Sequence, residues 1–136
     1  VALVREHPAA ADDKEITVTI DHSGGPLWVS GDQDLLHRAI FNLVLNAVQF
    51  AGTNGTVAVA AAVQSLDSLG ASAPVVGISV EDSGPGVDRD ERTRIFDPFY
   101  TTRSTGSGLG LSMVHRAVEA HSGSVFVETS KLGGAH

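Results

Sequence analysis

The chain contains no cysteine. That excludes a disulfide framework, thiol catalysis and zinc–cysteine sites, and it fits a reducing compartment. No apolar run approaches the roughly 20 residues needed to cross a bilayer, so the domain is not expected to insert in a membrane. No charged start leads into an apolar core and a small-residue cleavage site, so no signal peptide is read. Basic residues are scarce: 9 Lys and Arg stand against 16 Asp and Glu, for a net charge of −7 and a pI near 5.1. Such a surface repels phosphate backbones and anionic lipid, which argues against nucleic acid and membrane surfaces as partners. A GxxxxGK[ST] phosphate loop is also missing. The histidines at 7, 22, 37, 115, 121 and 136 show no metal-ligand spacing with carboxylates and read as surface or capping residues.

What is there is a globular domain. The 136 residues are 42% hydrophobic and 18% charged, and one domain of that size buries roughly two-thirds of its unfolded surface. The chain begins at Val1 without a methionine and stops at Gly133-Gly134-Ala135-His136, and both ends read as cuts through a longer protein. Residues 1–15 read as a linker from an upstream domain, and 16–136 as the folded unit with a truncated C-terminus.

Hydrophobic periodicity supplies the elements. Alternating β-branched residues predict a strand over Ile16–Ile20, and Leu27–Val29 a short second one. Asp32 is placed to cap a helix running to about Phe50, with Leu35, Leu36, Ala39, Ile40, Leu43, Val44 and Ala47 on one face. Gly52 and the Thr53-Asn54-Gly55 turn end it. Strands are expected over Thr56–Val63, Val75–Glu81 and Ser124–Thr129, a short charged helix over Asp88–Ile95, and a second long helix over Leu109–His121. That order suggests helices layered on one face of a mixed sheet.

Three local patterns carry chemistry. Asn42 and Asn46 are the only polar residues from Ala39 to Val48 and sit one helical turn apart, a stripe that Gln49 and Arg38 extend. Burying an amide without partners costs about 1–3 kcal/mol, so the stripe either bonds neighbouring backbone or faces a ligand or metal. Asp82-Ser83-Gly84-Pro85-Gly86 follows a strand directly. A carboxylate at a strand end can accept from an exocyclic amine while glycines let backbone approach a flat ring, although an ordinary Asx turn has the same composition. Gly106-Ser107-Gly108-Leu109-Gly110-Leu111 runs into a helix. Free N–H groups at that point suit phosphate, and a flexible hinge is the competing reading. Four of the seven arginines lie between Arg89 and Arg103. Arg89 and Arg92 read as a solvated charged face, and Arg103, beside the glycines, as the anion candidate.

Taken in order, these patterns resemble the ATP-binding catalytic domain of sensor histidine kinases, within the ATPase superfamily that includes gyrase, a heat-shock chaperone and mismatch-repair proteins. Asn42-Leu43-Val44-Leu45-Asn46-Ala47 resembles the N box, Asp82 to Gly86 the first glycine box, Arg94-Ile95-Phe96-Asp97-Pro98-Phe99 the F box, and Gly106 to Leu111 the second glycine box. The segment Pro98 to Arg103, with its short gap to Gly106, looks most like the nitrogen-regulation type.

The resemblance implies a two-layer α/β sandwich: a mixed, mostly antiparallel sheet of about five strands with helices on one face, ATP between the helices and a mobile lid. Asp82 would bind the adenine amine, with Gly84, Gly86 and Val87 against the ring. Asn46 would ligate Mg²⁺ bridging the phosphates, with Asn42 and Gln49 beside it. Pro98 to Ser107 would form the lid, including Thr101, Thr102 and Arg103. The backbone of Gly106, Ser107, Gly108, Leu109, Gly110 and Leu111 would hold the phosphates. Asn42 and Arg103 would carry the catalytic roles. Hydrolytic relatives carry a glutamate where this chain has Asn42, and an amide cannot act as that general base. Many members carry Lys or Arg at Gln49 and a Thr at Ala135, so two further contacts are in doubt. The implied activity is transfer of the γ-phosphate to a histidine on a separate dimerisation domain, with a response regulator downstream. His7-Pro8 does not match an acceptor helix. The domain by itself is expected to be a cytoplasmic monomer, in a parent protein that could be membrane-anchored. The rival readings are an anti-sigma-factor type of serine kinase and a non-catalytic nucleotide-sensing module.

Overall fold

The computed structural model describes residues 16–21, 24–65, 74–102 and 106–136. The expected linker, residues 1–15, lies outside them. Five elements follow in the order β1 (Thr17–Asp21), α1 (Gln33–Ala51), β2 (Thr56–Ser65), β3 (Pro74–Asp82) and α2 (Gly110–Ala120). The sheet order is β1-β2-β3. β1 runs parallel to β2, with Thr17 opposite Thr56. β2 runs antiparallel to β3, with Val57 opposite Asp82 and Ser65 opposite Pro74.

α1 forms where its periodicity places it because both ends are specified. The Asp32 carboxylate accepts from the Leu35 N–H at 2.9 Å, satisfying one of the orphan donors of the first turn. At the other end Gly52 adopts φ 78°, a conformation that favours glycine. The buried face of α1 is built of small residues. Ala47 and Ala51 pack on Val57 of β2, with Ile16, Val48, Val59 and Val80 around them. Ala39 packs on Val114 and Ala117 of α2, joined by Leu35, Leu43, Val118 and Val125. α1 is thus the shared wall of two clusters, with the sheet on one side and α2 on the other. Close approach through alanine keeps both partners rigidly related to it.

The mixed sheet with helices packed on it is the expected architecture, but among the described residues it has three strands rather than about five. Leu27–Val29 forms no ladder, and Trp28 is fully exposed there. Among the described residues, the backbone of segment 124–129 is paired only at its end, although Val125 packs into the α1–α2 cluster. Glu128 exchanges two backbone hydrogen bonds with His136 (2.7 and 2.9 Å), and Thr129 bridges Ala135. Strand propensity there is satisfied only where a partner strand lies alongside. The short helix expected over Asp88–Ile95 is instead a run of turns. Its backbone bonds span mostly three residues, as in Glu91 N–H to Asp88 O and Arg94 N–H to Glu91 O, too tight for an α-helix.

Candidate functional site

A cavity of about 550 Å³ opens between α1, the end of β3, the turns that follow it and the start of α2. Asn42, Asn46 and Gln49 of the polar stripe line it. Both asparagines are half-buried rather than sealed in the core, so the stripe faces a cavity. Arg38 does not join them; it is exposed and outside the lining.

Asp82 closes one end. The residue is 6% exposed, and its Oδ1 accepts from Gly84 N–H at 2.8 Å and from Ala135 N–H at 3.3 Å. Its Oδ2 accepts no hydrogen bond from the described residues, yet no buried side-chain oxygen is left unpaired, so this oxygen keeps access to the cavity that Asp82 lines. The Asx turn and the poised carboxylate are therefore one feature rather than alternatives. Ser83 fixes the turn from β2, accepting from Thr56 N–H at 2.9 Å through Oγ and donating its own N–H to Thr56 O at 3.0 Å. Gly86, at φ 78°, and Val87 continue the lining. Gly84 does not. A Cβ there would meet the Phe50 carbonyl oxygen at 2.3 Å, so its lack of a side chain serves the packing of the turn against the end of α1, not the cavity surface.

The opposite end is the entry to α2. Gly106, Ser107, Gly108, Gly110 and Leu111 line it, whereas Leu109 points away and is partly exposed. α2 starts with no side-chain cap, so its first N–H groups and the positive end of its dipole are presented there. A Cβ on Gly110 would stand 3.7 Å from Asn42 Oδ1, which puts the Asn42 amide against the first turn of α2. Gly108, at φ 68°, is pressed on Phe99: a Cβ would lie 2.4 Å from the Phe99 carbonyl carbon. Phe99, itself at φ 67°, donates its N–H to Gly108 O at 2.9 Å. This pair pinches together the base of the loop that holds Thr101 and Thr102, both of which line the cavity. Arg103 lies outside the described residues.

Several lining residues carried no sequence signal. Glu91 and Tyr100 meet across the wall, the Tyr100 hydroxyl donating to Glu91 Oε1 at 2.6 Å. That bond raises the phenol above its ordinary range, because ionisation would set two negative charges together. Arg94 stacks 4.7 Å from the Tyr100 ring centroid. Arg92 is not a solvated charge either; it donates to Val87 O at 3.3 Å and to Thr129 Oγ1 at 2.9 Å. His121 caps, as expected: its Nε2 accepts from Asp32 N–H at 2.9 Å and its Nδ1 lies 2.7 Å from Ala117 O.

The chain can thus seat a flat amine-bearing ring at one end and an anion at the other, with two amides between. Among the described residues no group of three or more carboxylates or imidazoles is arranged to hold a metal, and no helix is long and apolar enough to cross a membrane. Comparison with known proteins shows the family. Residues 31–136 match the family described as histidine kinase-, DNA gyrase B-, and HSP90-like ATPase. The sensor histidine kinase ZraS of Escherichia coli K12 is 35% identical over 125 residues, covering 92% of this chain and 25% of ZraS. CpxA of the same strain, also a sensor histidine kinase, is 36% identical over 124 residues, covering 87% of this chain and 25% of CpxA. The chain therefore spans about a quarter of these relatives. Among solved structures, the catalytic domain of the histidine kinase ThkA superposes with a TM-score of 0.73 at 28% identity, covering 87% of this chain and 73% of that one. A mycobacterial sensor histidine kinase, MprB, gives 0.68 at 32%, covering 86% and 70%. The chain belongs to the histidine kinase-, gyrase B- and HSP90-like ATPase family, and what it matches there is the ATP-binding catalytic domain of sensor histidine kinases.

Proposed function

We propose that this domain binds Mg-ATP with its adenine at Asp82 and its phosphates at the start of α2, and supplies the γ-phosphoryl group to a histidine on a separate dimerisation domain. A response regulator would take the phosphoryl group from that histidine, and the nitrogen-regulation type remains the nearest subtype. The observation that carries this reading is the Asp82 carboxylate, with one oxygen occupied by two N–H groups and the other open to the cavity. An open acceptor buried at a cavity end suits an exocyclic amine and rejects a carbonyl at the same edge, since the mismatch leaves buried groups unpaired.

The donors present fit the absent groups. The uncapped first turn of α2, with Gly106 and Gly108 before it, offers N–H groups to phosphate oxygens. The Asn46 carbonyl is a hard oxygen ligand of the kind that could hold Mg²⁺ together with phosphate oxygens. When bound, the ion neutralises phosphate charge. Asn42 stands where the phosphates would lie, and its amide cannot remove a proton from water. Glu91, the other carboxylate among the described lining residues, is engaged by Tyr100. Phosphoryl transfer depends mainly on positioning and electrostatics, so a site that holds ATP without activating water favours an imidazole nucleophile brought from elsewhere.

The test is reconstitution. The chain alone should bind ATP with negligible turnover, and adding a dimerisation domain should give acid-labile phosphohistidine. Rapid hydrolysis by the chain alone, or phosphoserine on the added partner, would overturn the reading.

A further inference from the structure

The two acidic residues that end β3 point to opposite faces of the sheet, and only Asp82 lines the cavity. Glu81 faces away, yet both hold the same piece of chain. Glu81 Oε2 accepts from Ser130 Oγ at 2.8 Å and from Lys131 N–H at 3.2 Å. Ser130 is 5% exposed, and its Oγ also accepts from Leu132 N–H at 2.9 Å. The turn that starts there returns through two bonds, Gly133 N–H to Ser130 O at 3.1 Å and Ser130 N–H to Gly134 O at 2.9 Å. Its far end meets Asp82 three times. Gly134 N–H donates to Asp82 O at 3.0 Å, Asp82 N–H donates to Ala135 O at 2.9 Å, and Ala135 N–H reaches Asp82 Oδ1. Gly134 lies so flat on the carboxylate that a Cβ would stand 2.1 Å from Oδ1.

We propose that the turn from Ser130 to Ala135, tied down by Glu81 from the far face of the sheet, is a positioning device that sets the free oxygen of Asp82 for an adenine amine. Glu81 and Ser130 are thus determinants of base specificity that never touch nucleotide. The geometry gives each part a task. Ala135 N–H and Gly84 N–H occupy Oδ1 and stop the carboxylate from rotating, while Gly134 sets how far it stands from the turn. Glu81 and Ser130 fix the turn itself. A carboxylate that accepts fixed bonds on one oxygen presents the other in one direction, and outlying groups that orient a binding residue carry much of its selectivity. The hydroxyl and the N–H on Glu81 also hold its carboxyl below the ordinary range, so the tie is made by a carboxylate.

This inference rests on the reading of Asp82 as the base-recognising group, and the experiment separates the two. Binding of ATP and of inosine triphosphate, which has a carbonyl in place of the amine, is measured by calorimetry on the native chain and on E81A, S130A and E81Q. The native chain should prefer ATP. In E81A and S130A, ATP affinity should fall about three- to tenfold, the worth of a positioned hydrogen bond, while inosine triphosphate binds as before or better. E81Q keeps an acceptor oxygen and should restore most of the preference. If E81A loses its fold, S130A, which deletes one hydroxyl, carries the same comparison. Equal losses for both nucleotides, or an unchanged preference beside a lowered melting temperature, would show a merely structural tie and overturn the positioning role. A native chain that binds both equally overturns the Asp82 assignment itself, and this proposal with it.

Discussion

The two ends of the cavity are built on opposite principles. At the β3 end the proposed recognition group is assembled in advance: Asp82 is buried, two N–H groups fix one oxygen, and β2, Glu81 and the Ser130 turn hold its backbone. At the α2 end, among the described residues, the first turn of the helix has no side-chain cap, where α1 has Asp32. Its approach runs through Gly106 and Gly108 rather than through anchored side chains. An amine is small, neutral and directional, so a rigid acceptor recognises it best. A triphosphate is long and highly charged, which suits an end that presents the first N–H groups and the positive dipole end of a helix. Base selectivity and phosphate affinity should therefore separate under mutation.

The sharpest break in that division is Asp82→Asn. The amide oxygen can keep the bonds from Gly84 and Ala135, but its NH₂ then faces the ligand amine, donor against donor. We expect ATP affinity to fall by about 2–3 kcal/mol, roughly 30- to 150-fold, with the preference over GTP lost. Calorimetry with both nucleotides checks it. A variant that keeps its preference for ATP would mean that another group reads the base.

Gly108→Ala is the matching break at the other end. The added methyl would collide with the Phe99 backbone and force an alanine into φ 68°, so the pinch between Gly108 and Phe99 opens. ATP affinity should drop roughly tenfold through lost phosphate contacts, and adenosine affinity should stay within about twofold because Asp82 is untouched. Equal losses for adenosine and ATP would mean that the two ends are mechanically one.

Which features could be read from the sequence follows from how local their causes are. α1 was legible because its period, its Asp32 cap and its Gly52 stop lie within one stretch of chain. The Asp82 turn was legible because adjacent residues close it, Gly84 N–H on Asp82 Oδ1, whereas the glycines before α2 were legible as a composition and Gly108 is fixed by Phe99 from outside it. The strand expected over residues 124–129 needs a partner strand along its whole length, and among the described residues only Glu128 and Thr129 find one, in His136 and Ala135. The charged segment over 88–95 has helical composition but forms successive turns. Glu81 with Ser130, separated by 49 residues, and Glu91 with Tyr100 on the cavity wall arise only when the chain closes on itself. Gly84 carries a packing role that the glycine pattern does not announce, since its lack of a side chain clears the Phe50 carbonyl.

A smaller effect sharpens the account of the rigid end. The Glu81 carboxyl sits below its ordinary 4.5 because Ser130 and Lys131 donate to its charged form. The unfolded chain therefore takes up the proton first as pH falls. Stability contributed by this group is complete above about 4.5 and is lost as pH falls through the lower folded value. Denaturant melts of the native chain and E81Q should converge as acid is added below that point, the native chain losing its advantage. Parallel curves across the acid range would mean that the Ser130 tie does not depend on charge.

The smallest effect belongs at the loop beside the α2 end. Tyr100 is held by its hydroxyl to Glu91 and by its ring under Arg94, next to Phe99 and the pinch on Gly108. Tyr100→Phe removes the hydroxyl and keeps the ring, so the stacking with Arg94 should survive. Only the local opening of the loop base should become easier, because the global fold does not depend on this bond. Amide exchange at residues 100–102 and 106–108 should rise a few-fold in the absence of nucleotide, as expected for one hydrogen bond lost at a partly solvated site, while exchange in β2 and β3 is unchanged. Saturating ATP should erase the difference, since phosphate contacts then hold the same segment closed. The native phenol adds an independent check. Its pKa is raised by the hydrogen bond to Glu91, so whatever stability the pair gives is complete below the ordinary phenol value of 10.0 and fades as pH rises through the higher folded one. Ultraviolet titration should show ionisation later than in a free tyrosine, and Glu91→Gln should bring it back. If Tyr100 titrates as a free phenol and its loss leaves exchange at the loop base unchanged, the Glu91 contact does not hold the loop, and the Phe99–Gly108 pinch alone sets its opening.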